Sequence, residues 1–385
     1  MKTMFVEGFE RPQLLLKKKL LLLNWPFLLL ITAITLVGVG ALYSVARGSL
    51  DPWASRHVVR YCLGLGLLFA IALSDIRWWL RLAYPLYLLA LLMLALVLVI
   101  GVESGGAKRW LGYGEFSFQP SELMKIALVL AIARYYQWLP PRQVSWPHTV
   151  LPPLLLIGLP VILALDQPDL GTAALFGIVG CGLLFLAGVS WLYFLGALAT
   201  VIAALPHVWE RLHDYQRERI LTFIDPERDP SGSGYHILQS KIAIGSGGFA
   251  GKGFMQGTQA QLNFLPEKHT DFIFTMFSEE MGFIGGVLLL ALYLLALMFI
   301  TYMALRCRST FPRLVAAGVG LCLFAYVFIN VAMVTGLVPV VGVPLPFVSY
   351  GGTSMLTMMV GLGFVLNAHV NRRLLIRREE VGPFW

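Results

Sequence analysis

The sequence predicts an all-α polytopic membrane protein of about ten transmembrane helices, with a long extracytoplasmic loop between spans seven and eight. Of the 385 residues, 58% are hydrophobic and only 13% are charged. The mean hydropathy is +0.75. The apolar residues also come in runs of roughly 20, the length that crosses a bilayer core. A soluble domain could not bury this much apolar surface, so the soluble protein classes are excluded.

Ten apolar runs define the predicted spans. The run that follows Lys17, Lys18 and Lys19 exceeds the 7–15-residue core of a cleavable signal, so we expect it to be retained. The runs lie near residues 20–46, 58–74, 79–101, 122–138, 150–166, 171–187, 190–209, 272–303, 312–336 and 351–370. We expect a single membrane domain over residues 1–385, with cytoplasmic tails at 1–20 and 371–385 and a large extracytoplasmic loop at 210–271.

The charge distribution predicts the orientation. With the N-terminus inside, short inner segments hold 16 basic residues against 6 in short outer segments. The long loop is discounted by the positive-inside rule. The acidic residues divide into five inside and 16 outside. We therefore expect a multi-pass protein of the cytoplasmic (inner) membrane with both termini in the cytoplasm. The net charge of +8 then reflects topology and membrane lipids, and no nucleic-acid partner is expected.

Asp271 is the first candidate for chemistry, because it lies where the long loop is predicted to re-enter the membrane. Ionisable groups at membrane depth are costly and are functional candidates. Partial desolvation would raise the proton affinity of this carboxylate, as a general base requires. The alternative interpretation is a helix N-cap, a position that Asp favours. Spacing alone favours the cap, and the two roles are compatible.

Other charged residues are predicted to lie on the same side as Asp271. Glu122 and Lys125 share a helix face at i, i+3, and they form either a plain ion pair or part of a charged cavity. Asp169 precedes the sixth span, where capping is the favoured interpretation and ligand binding the alternative. Clustered cations and glycine-freed amides suit phosphate oxygens, although a solvated surface or headgroup contact explains each cation singly. These cations include Lys108, Arg109, Arg217 and Lys252.

The chain also has two glycine-rich segments on the predicted outer side. The run GSGGFAGKG has Gly253 where a phosphate-binding loop requires Ser or Thr, so we reject that function for it. The last outer turn, VPVVGVPLPFVSYGGTSM, is non-helical at membrane depth and must be buried in protein or line a cavity. Ser349, Tyr350 and Thr353 therefore either line the cavity that contains Asp271 or belong to a rigid connector.

Together these segments resemble the SEDS family (shape, elongation, division, sporulation) of peptidoglycan polymerases. The similarity extends in family order over about residues 22–371 and is closer to the RodA-like branch than to the FtsW branch. The stretches that carry it are GAKRWL, FQPSELMKIA, QPDLGTA, DYQRERI, DPERDPSGSGYHILQSKIAIGSGG, GKGFMQGTQ, FLPEKHTDFIF, EEMGFIG and GVPLPFVSYGGTSM.

The resemblance implies a glycosyltransferase that polymerises lipid II, the undecaprenyl-diphosphate disaccharide peptide, during cell elongation by inverting transfer. Asp271 matches the family's catalytic aspartate, Glu122 and Lys125 match its charged cavity pair, and Asp169 matches the aspartate of its QPDLGT pattern. We include Glu267 and His269, beside Asp271, as substrate-binding or cavity residues.

The resemblance also implies a class B penicillin-binding protein as partner. No cofactor is certain, and a divalent cation, Mg²⁺ or Mn²⁺, stays open. The competing classes are a lipid II flippase and a non-catalytic scaffold for a penicillin-binding protein. The skew of acidic residues toward one side favours a fixed outer site over a flippase, and a pure scaffold would not need Asp271 at a membrane edge.

Overall fold

The structure is a computed structural model. It describes residues 16–104, 107–113, 116–211, 217, 221–222, 225, 233–261, 265 and 267–378. Within these ranges the chain is mostly helical. The helices are α1 Leu16–Leu21, α2 Trp25–Val45, α3 Ala54–Leu73, α4 Ile76–Ile100, α5 Pro120–Trp138, α6 Pro147–Asp166, α7 Leu170–Ala187, α8 Trp191–Arg211, α9 Ser233–Ser246, α10 Thr258–Gln261, α11 Ile273–Leu305, α12 Thr310–Val334 and α13 Gly352–Val370, with a short 3₁₀ turn at Pro141–Gln143.

The predicted polytopic membrane fold is confirmed. Eight helices of the described chain are long and apolar enough to cross a membrane, and Trp191–Thr200 is a shorter apolar helix. The helix α5 has 19 residues and is buried over most of its length. It is less apolar because it contains Glu122, Lys125 and Arg134. The total of ten spans stays a prediction. Parts of the predicted tails and of the loop 210–271 lie outside the described residues.

The segment after α4 departs from the all-α prediction. It forms a small antiparallel sheet of order β1-β2-β3. The strands are β1 Val102–Ser104, β2 Ala107–Tyr113 and β3 Phe116–Phe118. The register is irregular between Val102 and Glu103. Two of the strands have only three residues, which is too short for an alternating pattern to be recognised in the sequence. The sheet packs through β2 on α4 and α5.

The first predicted span is two helices. The chain breaks at Asn24, whose Oδ1 accepts a hydrogen bond from the Phe27 amide at 3.2 Å. Pro26 lies in the first turn of α2, where its missing N–H costs nothing. The short helix α1 therefore precedes the spanning helix α2 and contacts α3.

The core is built around α12, which packs against α5, α7, α11 and α13. Both α12 and α13 are buried over most of their length, whereas α4 and α11 leave most of theirs exposed. Exposed leucines such as Leu92 and Leu294 on these helices suit a lipid environment. Because the helices alternate in direction, α5, α7, α11 and α13 begin at one end of the bundle, near the sheet. We call this the site end.

The glycine-rich run after α9 stabilises a break in α11. Gly282 has φ +65° and ψ −165° and interrupts the helix. The kink frees backbone groups of α11, and the glycine loop, residues 247–253, pairs with them. These bonds run from Lys252 N to Glu279 O (3.1 Å), Gly253 N to Glu280 O (3.0 Å), Phe283 N to Gly248 O (3.0 Å) and Ile284 N to Phe249 O (3.2 Å). The run that does not fit a phosphate loop therefore satisfies backbone groups that a lipid-facing kink would leave unpaired.

Gly282→Ala is expected to destabilise the fold. The backbone conformation at Gly282 is nearly restricted to glycine and costs about 1–3 kcal/mol for another residue. A methyl group there would also lie 2.3 Å from the Gly251 nitrogen. Gly177→Ala is the matched control, because a Cβ at Gly177 meets nothing within 4 Å. Thermal unfolding in detergent should show a lower midpoint for the Gly282 variant alone, and equal midpoints for the two would contradict this account of the kink.

Candidate functional site

A buried ion pair lies in the first turns of α5. The Lys125 Nζ and Glu122 Oε1 atoms are 2.7 Å apart, and both side chains are nearly inaccessible. The Tyr326 hydroxyl, from α12, donates to Glu122 and lies 2.9 Å from each carboxylate oxygen. Lys125 also donates to the Tyr326 oxygen and lies 4.5 Å from its ring centroid. The side chains of Glu122, Lys125 and Tyr326 therefore form a triad in which each contacts the other two. A buried pair of this kind requires such additional partners.

The predicted cap by Asp169 is confirmed, and the sheet brings a cation to it. Asp169 accepts hydrogen bonds from the Thr172 amide at 3.1 Å and from the Thr172 hydroxyl at 2.8 Å. Arg109 Nε, on β2, lies 3.7 Å from Asp169 Oδ2. Arg109 Nη2 also donates to the Pro168 carbonyl at 2.7 Å. The unpredicted sheet thus fixes a guanidinium at the start of α7.

Asp271 lies in the turn before α11, and the cap interpretation for it is wrong. The N-cap residue of α11 is Phe272, and no side chain caps the helix. The Asp271 carboxylate accepts no hydrogen bond from any residue that the structure describes. The pKa of Asp271 is raised from 3.8 to about 7, mainly because the carboxyl is buried; the Glu267 charge also raises this pKa, and the Arg109 charge lowers it. This carboxyl therefore titrates near neutral pH, as suits a general base.

Asn330 connects Asp271 to the buried triad. Its Nδ2 donates to the Asp271 carbonyl at 2.9 Å and to the Val343 carbonyl at 2.7 Å. Tyr326 lies four residues earlier on α12, so the two side chains share a face about 5–6 Å apart. Two residues about one turn apart on α12 therefore contact the two parts of the site: Asn330 contacts the Asp271 backbone, and Tyr326 belongs to the triad. Gly342 packs against this point, where a Cβ would lie 3.3 Å from Asp271 Oδ2.

The turn between α12 and α13 contains the predicted cavity residues Ser349 and Tyr350, and Thr353 follows it. Ser349 Oγ accepts from the Leu345 amide at 2.7 Å, so this predicted cavity residue stabilises the turn. The Tyr350 amide donates to the His269 carbonyl at 2.9 Å, which joins the turn to the Asp271 segment. Thr353 is half-buried in the first turn of α13.

Two residues at the start of α3 also lie in this region, and neither was predicted from the sequence. The Trp53 ring stacks on His269 with centroids 4.6 Å apart. The Arg60 guanidinium lies 4.4 Å from the Tyr350 ring centroid. Burial lowers the pKa of His269, so its imidazole is neutral at pH 7. Arg60 could have been suspected as a basic residue near a helix start, whereas Trp53 carries no sequence signal.

The remaining predicted binding residues are dispersed. Lys252 Nζ lies 2.6 Å from Glu279 Oε1 and is engaged in the α11 kink. Lys108 is exposed on β2, and as the strand neighbour of Arg109 it faces the other side of the sheet. Arg217 is half-buried in the long loop. Glu267 is exposed and accepts from the Thr270 hydroxyl at 2.8 Å.

Several buried polar atoms at the site end have no hydrogen-bond partner among the described residues. They include Ser121 Oγ, Asn330 Oδ1 and His269 Nδ1. Unpaired buried polar atoms are unusual, and these lie at the end of the bundle that holds Asp271 and the triad. No group of three or more His, Cys, Asp or Glu side chains in the described part of the chain could hold a metal ion.

Comparisons with known proteins agree with this fold. Residues 18–374 match the FtsW/RodA/SpoVE family, described as "Cell cycle protein". The chain is 45% identical over 354 residues to "Peptidoglycan glycosyltransferase MrdB" of Escherichia coli (strain K12), covering 91% of this chain and 94% of that protein.

Two solved structures are also similar. One is a chain of "Structural coordination of polymerization and crosslinking by a peptidoglycan synthase complex", with TM-score 0.80 and 37% identity, covering 91% of this chain and 98% of that one. The other is the Thermus thermophilus rod shape determining protein RodA, with TM-score 0.69 and 32% identity over the same shares.

The fold and the site define a polytopic membrane protein with a charged site at one end of its helical bundle. The chain belongs to the FtsW/RodA/SpoVE family of cell cycle proteins. The resemblance drawn from the motifs is confirmed, including its closeness to RodA.

Proposed function

We propose that this chain is a peptidoglycan glycosyltransferase that polymerises lipid II into glycan strands during cell elongation, with Asp271 as the general base. The observation that carries the proposal is the Asp271 carboxylate. It is partly buried, free of hydrogen bonds from the described residues, and has its pKa raised to about 7. Curated relatives named peptidoglycan glycosyltransferase support the activity.

The proposed reaction is a single displacement at an anomeric carbon. Asp271 accepts the proton of a sugar hydroxyl on one lipid II as the hydroxyl oxygen bonds to the anomeric carbon of another. The bond from that carbon to the diphosphate breaks, and the configuration inverts. Diphosphate is a good leaving group, so no general acid is required, and general-base assistance contributes roughly 10²–10⁴-fold. Arg109 is a cation whose charge acts on Asp271, and we assign it to the developing diphosphate charge.

The proposed orientation places the site end outside the cytoplasm. Lys19 and the residues after α13 line one cavity at the other end, which supports having the two chain ends on one side. Arg77, Arg142, Arg308 and Arg372 also lie at that end, as the positive-inside rule requires for the cytoplasmic side of an inner-membrane protein. Lipid II would then be consumed on the outer leaflet.

The proposed partner is a class B penicillin-binding protein. Support comes from similarity to a chain in a solved peptidoglycan synthase complex that couples polymerisation and crosslinking. The test is polymerisation of purified lipid II by the purified chain, alone and with this partner, with glycan products separated by size. Polymer formation supports the proposal. Translocation of lipid II without polymer would favour a flippase, and polymer formed only by the partner would favour a scaffold.

The rate of polymerisation should rise with pH through neutrality. Asp271 must be ionised to accept a proton, so with a pKa of about 7 the rate falls about tenfold per unit below pH 7. Glu267→Gln removes a charge that raises this pKa, so its profile should shift to lower pH. Arg109→Gln removes a charge that lowers it, so its profile should shift to higher pH.

Initial rates measured from pH 5 to 9 in each variant check this prediction. The two shifts have opposite signs, which a general loss of stability could not produce. Profiles with the same midpoint in all three proteins would contradict the assignment of Asp271 as the titrating base.

A further inference from the structure

At the end of the bundle opposite Asp271, two neighbouring cavities are lined by arginines and apolar side chains. The smaller, about 270 Å³, is lined by Arg306, Arg308, Arg372 and Arg373. The larger, about 920 Å³, shares Arg372 and Arg373 with it. The two cavities therefore adjoin, and their common wall is the segment that follows α13.

The smaller cavity has an unbalanced positive charge. None of its four arginines forms an ion pair with an Asp or Glu among the described residues. Arg306, Arg308 and Arg373 are exposed, while Arg372 Nη1 donates to the His369 carbonyl at 2.8 Å. Like charges gathered in one cavity repel each other. Guanidinium groups bind phosphate through paired N–H donors, so this cavity has the chemistry of a phosphate site.

The larger cavity continues this site along an apolar wall. Leu22, Leu73, Trp78, Leu82 and Leu374 line it. Trp78 is 68% exposed, on a helix whose other exposed residues are mainly leucines suited to acyl chains. Tryptophan is enriched where a membrane meets water. The wall thus runs from the membrane surface toward the hydrocarbon region.

The polar groups of the larger cavity are mostly engaged in the fold. Lys19 Nζ donates to the Leu73 carbonyl at 2.6 Å and to the Ser74 carbonyl at 3.4 Å. Trp79 Nε1 donates to Ser74 Oγ at 2.6 Å. Asp75, the one carboxylate lining this cavity, accepts from the Arg77 amide at 2.9 Å and does not line the arginine cavity.

We propose that these two cavities bind one anionic phospholipid. Its phosphate diester lies among Arg306, Arg308, Arg372 and Arg373, and an acyl chain follows the wall that contains Trp78 and Leu82. Basic pockets between membrane helices bind anionic headgroups in this manner. A free phosphate would satisfy the arginines and leave the apolar wall uncovered, so charge and shape together favour the lipid.

The test is native mass spectrometry of the full chain in neutral detergent, titrated with equal amounts of phosphatidylglycerol and phosphatidylcholine. The wild-type chain should retain phosphatidylglycerol preferentially. Arg306→Gln/Arg373→Gln should lower that retention at least about tenfold, because charge-assisted contacts to phosphate are lost. Both side chains are exposed, so folding should not depend on them, and thermal unfolding verifies this.

The matched control is Arg81→Gln/Arg142→Gln. Both residues are exposed, belong to the same end of the bundle and line neither cavity, so phosphatidylglycerol retention should stay at the wild-type level. Equal retention of the two lipids by the wild-type chain would overturn the proposal, as would equal losses in both double variants.

Two further arms distinguish other occupants. Inorganic phosphate at the same concentration should not displace the bound lipid, and displacement would overturn the lipid assignment in favour of a free anion. Glu379 and Glu380 lie outside the described residues. If the wild-type chain showed no preference for phosphatidylglycerol and Glu379→Gln/Glu380→Gln created one, the carboxylates of the chain's own tail would be the occupant and the proposal would fail.

Discussion

Asp271→Asn is expected to lower the rate of glycan polymerisation by about 10²–10⁴-fold, the usual contribution of a general base. The amide has the shape of the carboxylate and cannot accept the hydroxyl proton. Folding should be retained, because the Asp271 carboxylate makes no hydrogen bond with the described residues. The assay is polymer formed from purified lipid II per unit time.

Stability measurements make this prediction sharper. The pKa of Asp271 is raised from 3.8 to about 7. The cost of its ionisation to folding therefore grows as the pH rises from about 4 to 7 and is constant above that. Replacement by Asn removes that cost, and the unfolding midpoint at pH 8 should be equal or higher.

Asp166→Asn is the matched control for the activity measurement, because Asp166 is an exposed carboxylate at the same end of the bundle. Its polymerisation rate should equal that of the wild-type chain. An Asp271→Asn protein that retained most of its activity would remove the base role.

Lys125→Ala is expected to destabilise the fold more than Gly282→Ala does. The variant leaves the Glu122 carboxylate buried with the Tyr326 hydroxyl as its remaining partner in the triad. Breaking a buried pair in this way costs about 3–5 kcal/mol. Thermal or denaturant unfolding in detergent should show the loss. Wild-type stability in the Lys125 variant would mean that the triad does not exist as described.

The double variant Glu122→Gln/Lys125→Met separates stability from activity. Replacing both charges of a buried pair is often neutral for folding, so this protein should recover most of the stability that the single variant loses. Polymerisation should be slower than in the wild-type chain if the two charges also contribute to the site that contains Asp271, as the family resemblance implies. Full activity in the stable double variant would return Glu122 and Lys125 to a purely structural role.

The helical fold was predictable because spans of this length leave clear apolar runs between charged segments. The break at Asn24 was also visible, since a capping residue precedes a proline within the first apolar run. The small sheet was not predictable, because its shortest strands have three residues and pair through an irregular register. The packing of the glycine loop against the kink at Gly282 joins segments about 30 residues apart, and local sequence gives no sign of it.

The site was predictable where charge stands out against an apolar background. Asp271, Glu122, Lys125 and Asp169 were all suspected on this ground. Tyr326 and Asn330 were missed because the sequence does not indicate which residues a polar side chain inside an apolar helix will contact. Lys252 was suspected as a phosphate ligand, yet its ammonium group pairs with Glu279, because long-range packing decides which charges are already neutralised.

The kink at Gly282 divides α11 into two rigid arms, and Asp271 lies just before the shorter one. The eleven residue steps from Asp271 to Gly282, at about 1.5 Å each, place Asp271 roughly 16 Å from the kink. A tilt of about 5° at the kink would swing the Asp271 carboxylate by roughly 1.5 Å, and misplacements near 1 Å can cost a reaction 10²-fold. The backbone hydrogen bonds between the glycine loop and α11 hold the two arms at a fixed angle. A molecule that binds this loop and changes the angle would therefore also change the position of the Asp271 carboxylate.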